Sequence, residues 1–143
     1  MLDEILKSMT LFSVIIGAIA IYTALRTNNR RLGADIFLRY AERISDLRQS
    51  LPDRFLFEDD ERRIEMTSRE RRVIREVIYS IFELYELKIH GFIPRTIWTI
   101  WEPDIERLLT LPAFRQELTA LRVAGIAKHP RFETWVARHV VTR

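Results

Sequence analysis

The chain has 143 residues, 48% apolar and 30% charged, with a formal net charge of +3. That balance is foldable rather than disordered, and the length suits one domain or one domain with an anchor. The absence of cysteine excludes structural disulfides, thiolate metal sites and cysteine catalysis; the four glycines form no phosphate-binding loop or dinucleotide fingerprint.

The first element centres on "SVIIGAIAIYTAL". Lys7 and Arg26 bound 18 uncharged residues, Ser8 to Leu25. As a helix this run is about 27 Å long, close to the ~30 Å hydrocarbon core, and Ile5, Leu6 and a snorkelling Lys7 extend it. It is apolar on nearly every side, unlike a bundle helix with one polar face. The acidic start "MLDEILK" and the sequel "RTNNRR" do not suit a cleaved signal peptide. The pattern therefore predicts a single transmembrane helix. Arg26, Arg30 and Arg31 follow it closely, against one lysine before it. The positive-inside rule then places the chain in the inner (cytoplasmic) membrane, N-terminus outside and C-terminal domain in the cytoplasm.

Within this element Thr10, Ser13, Gly17, Ala20, Ala24 and Thr27 are spaced 3, 4, 3, 4, 3. At roughly 100° per residue they share a sector about 100° wide, a small-xxx-small face that a second helix can approach closely. The expected partner is another membrane subunit or a second copy of the chain, with the lipid bilayer around both.

Leu32 begins an amphipathic pattern with Ile36, Phe37, Tyr40, Ile44 and Leu47. No proline interrupts Thr27 to Leu51, so the membrane helix is expected to run on, with Asn28-Asn29 or Gly33 as places to bend, until Pro52. The predicted boundaries are residues 1–31 for the helix and basic junction, and 32–143 for a cytoplasmic helical bundle. Residues 53–66 read as a loop whose run Glu58-Asp59-Asp60-Glu61 lacks EF-hand spacing.

"TSRE", Thr67 to Glu70, is a capping box. Ile74, Val77, Ile78, Ile81, Phe82, Leu84, Tyr85 and Ile89 then cover almost half a helix, which predicts the central element, stopped by Gly91. Pro94 opens a third helix in which Pro103 is expected to make a kink or a break. Pro112 and Pro130 open two more. The fold class is all-α: one transmembrane helix continuing into a bundle of about four helices.

No catalytic or metal site is legible. Glu76, Tyr79, Glu83, Glu86 and His90 share the polar side of the central helix but lack the doubled Glu-x-x-His of a di-iron bundle. His129 and His139 show no zinc spacing, and no serine elbow is present. Trp98, Trp101 and Trp135 fall at helical spacing on apolar faces and read as core. Arg69, Arg71, Arg72 and Arg75 form the densest basic patch, a docking candidate for phosphate, acidic lipid heads or an acidic partner, although Glu70 and Glu76 offset it. Interleaved charge elsewhere argues against nucleic acid, and no cofactor is implied.

Four stretches, "AIYTALRTNNRRLGADIFLRYAERISDLR", "REVIYSIFELYELKIHGFIPRTIWTIW", "LTLPAFRQEL" and "HPRFETWV", together span most of the chain. On them it resembles a group of bacterial proteins with an N-terminal membrane helix, an Arg/Asn-rich junction and a small all-helical cytoplasmic domain. The resemblance implies fold and topology and carries over no activity or functional residue. The expected role is a non-catalytic accessory or docking subunit of a larger membrane complex. The alternative is a membrane-tethered signalling or defence effector acting through self-association.

Overall fold

The computed structural model describes residues 2–57, 64–125 and 129–140, with side chains from Ile16 onward. Among these residues the elements are α1 (Leu2–Gln49), α2 (Arg54–Phe57), α3 (Ser68–Ile89), α4 (Arg95–Thr110), α5 (Pro112–Val123) and α6 (Pro130–His139), with no strand. The all-α expectation holds. The helix beyond the expected set is α2, inside the segment read as a loop. It forms because Phe55 is buried at 1% exposure in the main core and holds its turn in place. The acidic run Glu58–Glu61 lies outside the described residues.

Local signals set most of the ends. At the start of α3 the Thr67 hydroxyl accepts the Glu70 N–H at 3.2 Å, and the Thr67 N–H donates to Glu70 Oε2 at 2.7 Å. That backbone donor holds the Glu70 carboxyl below the usual carboxylate range. Arg54 reaches the other Glu70 oxygen at 3.1 Å and ties α2 to α3. At the far end Gly91 takes φ +80°, its N–H donates to Lys88 O at 3.1 Å, and the Phe92 N–H donates to Leu87 O at 2.9 Å. This paired closure requires a left-handed residue, which glycine supplies without a Cβ clash. Pro112 and Pro130 begin α5 and α6, where a missing N–H has no cost.

Pro103 does not split its helix. α4 runs without interruption from Arg95 to Thr110. Thr99, whose carbonyl loses its donor, and Pro103 are both exposed, so water can satisfy the freed group.

The core forms around α3, which packs against α1, α4, α5 and α6. Ile74, Val77, Ile78 and Ile81 are fully buried on its apolar face. Tyr85, Trp98, Phe132 and Trp135 join α3, α4 and α6 through edge-on, tilted and stacked ring contacts with centroids 5.4–6.0 Å apart. Trp101 meets Phe37 of α1 edge-on at 5.1 Å. Trp98 and Trp135 are core side chains, as their spacing predicts, and Trp101 is half-buried against that core.

Among the described side chains, α1 joins this core through its second half. Among its described side chains, from Ile16 onward, Gly33 is the first buried residue, followed by Phe37, Ala41 and Ile44, while Leu32 remains 51% exposed. The contact stripe thus begins one position later than the sequence pattern suggests. The Gly33 backbone is also why α1 comes so close. A Cβ there would lie 2.3 Å from Phe92 O and 2.9 Å from Pro94 Cδ.

The transmembrane expectation is not supported at this level. Among the described residues no helix is long and apolar enough to cross a membrane. From Ile16, where side chains are described, the uncharged stretch lasts only ten residues, to Leu25, before Arg26. That is roughly 15 Å of helix, half a bilayer core. The side chains of residues 8–15, the rest of the run, lie outside the described set, as does that of Lys7.

Candidate functional site

The surface that differs most from an ordinary helical domain is the free half of α1. Ile16, Ile19, Ile21, Tyr22 and Leu25 are 53–64% exposed. At roughly 100° per residue they point to several sides of the helix, so no single neighbour within the chain covers them. The gap between Ile16 and Ile21 on this wheel is filled by the small-residue face. Ala20, Ala24 and Thr27 line a shallow depression with Thr23, Asn28 and Arg31, and nothing lies within 4 Å of a Cβ placed on Gly17. Thr23 turns its hydroxyl onto its own helix, donating to Ile19 O and Ala20 O at 2.9 Å, so it presents little polarity outward. The side chains of Thr10 and Ser13, the other predicted members, lie outside the described residues.

The basic junction divides between two sides of α1. Arg31 lies on the small-residue side. Arg26 and Arg30 instead face a groove of about 890 Å³ between α1 and the α3–α4 turn, lined also by Tyr22, Leu25, Phe92, Arg95 and Ile97. The Gly33 contact with Phe92 O closes the adjoining part of this junction, so the fold fixes both walls. Phe92 and Arg95 were not legible as partners of the junction, because they follow a different helix.

The four-arginine patch on α3 is not a uniform surface. Arg75 Nε donates to Glu117 Oε2 at 2.6 Å, and Arg71 Nε lies 3.1 Å from Glu117 Oε1. The Glu117 side chain is 3% exposed, so both guanidiniums serve a buried carboxylate on α5. Arg69 and Arg72 remain on the surface.

A second cluster, unforeseen in the sequence, joins α4 to α6. One carboxylate oxygen each from Glu102 and Glu106 and a ring nitrogen of His139 lie within 4.8 Å of one another, the one such donor group among the described residues that could hold a metal ion. Its donors already have protein partners. Trp135 Nε1 donates to Glu102 Oε1 at 2.8 Å, and His139 Nδ1 lies 2.7 Å from Glu106 Oε1. The His139 ring also stacks on Trp135 with centroids 5.8 Å apart. The arrangement works as it stands as a polar latch between two helices. The Glu-x-x-x-Glu spacing on one helix was its only visible trace; the histidine arrives through tertiary packing.

On the polar side of α3, Glu83 and Glu86 also meet polar neighbours. Glu83 accepts from the Tyr40 hydroxyl at 3.2 Å, and burial is the main reason that phenol is pushed above its ordinary range. Glu86 lies 3.4 Å from His129 Nδ1 and 3.8 Å from His90 Nε2.

No protein-family model, curated protein or solved structure matches this chain.

Proposed function

We propose that the chain is a single-pass membrane protein acting as a non-catalytic accessory or docking subunit of a larger membrane complex. The free half of α1 is its anchor and its intramembrane contact, and residues 32–143 form a helical domain on the cytoplasmic side. The observation that carries this reading is the exposed apolar girdle from Ile16 to Leu25. Apolar side chains on several sides of a projecting helix are unfavourable in water, each large one by roughly 1.5–3 kcal/mol when fully hydrated. A surrounding apolar medium removes that cost where one neighbouring protein surface cannot. The sequence supplies the rest of the required length, since the uncharged run extends back to Ser8. The small-residue face adds a surface for a partner helix, where close packing replaces the hydrophobic drive that is absent in lipid.

Fractionation of cells expressing the full chain tests the anchor. The protein is expected in the membrane fraction and to resist high salt, requiring detergent for release. Recovery of all of it in the soluble fraction without detergent overturns the reading. Purification in mild detergent tests the partner: a stoichiometric membrane subunit is expected, and Gly17→Leu should reduce its recovery. A free homo-oligomer would favour the self-associating effector instead. Unchanged recovery with Gly17→Leu would remove the small-residue face as the contact.

A further inference from the structure

We infer that the groove between α1 and the α3–α4 turn is a binding site for the phosphate headgroup of an acidic membrane phospholipid. The inference rests on the membrane reading above. Three arginines converge on the groove from two elements, Arg26 and Arg30 from α1 and Arg95 from the first turn of α4. None of the three has an ion-pair partner among the described residues, so the charge they bring together in the groove is not neutralised there. Unpaired positive charge gathered in a concavity attracts an anion more strongly than the same charge spread on a convex surface. Guanidinium groups match phosphate oxygens in geometry as well as charge.

The other walls identify the anion as part of an amphiphile. Tyr22 and Leu25 stand 64% and 58% exposed along α1 on the side leading back to the uncharged run. Phe92, 53% exposed, and Ile97 form the opposite wall. A free inorganic anion has no use for these apolar side chains; a glycerol backbone and the first methylenes of an acyl chain do. The volume of about 890 Å³ admits a headgroup with its glycerol. The site is built into the fold, because the Gly33–Phe92 approach sets the spacing of α1 from the turn. It also lies where the uncharged run ends, the level at which headgroups begin.

The alternative explanation for basic residues here is diffuse attraction to a negative surface, to which every arginine of the junction contributes alike. Arg31 separates the two. It belongs to the same junction but lines the depression on the small-residue side, outside the groove.

The experiment uses the full chain in zwitterionic detergent micelles, titrated with dioctanoyl phosphatidylglycerol, dioctanoyl phosphatidylcholine or inorganic phosphate, with binding followed by native mass spectrometry. Phosphatidylglycerol is expected to bind at least about tenfold more tightly than either other probe. At about 1 kcal/mol per basic residue near an anionic lipid, Arg95→Gln should weaken it about fivefold and the triple Arg26→Gln/Arg30→Gln/Arg95→Gln by well over tenfold. Arg31→Gln should change it less than about twofold. Circular dichroism checks that each variant keeps its helix content, and Arg95→Lys, which keeps the charge, should retain most of the preference. Equal binding of the two lipids overturns the inference, and so does phosphate matching the lipid or a loss with Arg31→Gln as large as with Arg95→Gln. The triple variant should still fractionate with membranes. A wild-type chain that fractionates as soluble would refute the anchor itself, while the micelle titration reports on the groove separately.

Discussion

Glu117 shows how one side chain redirects its neighbours. It is almost wholly buried on α5, and the two guanidiniums that satisfy it, on Arg71 and Arg75, are 45% and 41% exposed. The pair is therefore asymmetric. Removing the carboxylate leaves two arginines that can rehydrate, whereas removing the arginines leaves a buried anion without a counter-charge. Arg71→Met/Arg75→Met is accordingly expected to cost about 3 kcal/mol or more, and Glu117→Gln less than about 1.5 kcal/mol, in urea denaturation. Equal costs for the two variants would mean that the charge on Glu117 is not what the arginines serve. The same residues explain why the basic patch was misleading in one dimension. Four arginines in sequence look like one surface, but the α3–α5 packing turns two of them onto the buried Glu117, and nothing local to 69–75 signals that carboxylate.

At the scale of elements, the two glycines of α1 make opposite demands. A Cβ at Gly17 meets nothing within 4 Å, while one at Gly33 runs into the backbone oxygen of Phe92. Gly33→Ala should therefore destabilise the fold by about 1–3 kcal/mol, because α1 must shift away from the turn. Gly17→Ala should be neutral or favourable by up to about 1 kcal/mol through helix propensity alone. Urea denaturation of both variants reads the difference, and a neutral Gly33→Ala would mean that the helix does not dock so closely. Helix boundaries were legible where the cause is local. The Thr67–Glu70 box, Gly91 and the prolines at 112 and 130 act on their own turns, and each marks an end in the structure. Features that depend on what lies across the fold were not legible. Gly33 reads as a bend until the α3–α4 turn is placed against it. Pro103 reads as a kink or a break, and the break is set aside only when its exposed side is known. Phe55 reads as part of a loop until the core it enters exists, and His139 finds Glu106 only when α6 lies along α4.

Over the whole molecule the chain divides by what it buries rather than by where its helices end. α1 is continuous, yet its residues from 18 to 32 are exposed and burial begins at Gly33. Among the described residues the bundle from Gly33 onward contains all of the buried core, so its stability should owe little to the free half of α1. A chain lacking residues 2–25 is thus expected to remain folded, with the helix content of the bundle intact and a denaturation midpoint close to that of the full protein. Without the apolar girdle it should also leave the membrane fraction and lose any subunit held through the small-residue face. These outcomes are separable. Folding of the truncated chain reports on the division of burial, and its release from membranes reports on the anchor. A truncated chain that fails to fold would show that the N-terminal half supports the core by contacts beyond those from Ile16 onward. One that folds but stays with membranes would move the membrane contact onto the domain itself, where Leu32, Ile100 and the groove wall Phe92 are exposed apolar side chains.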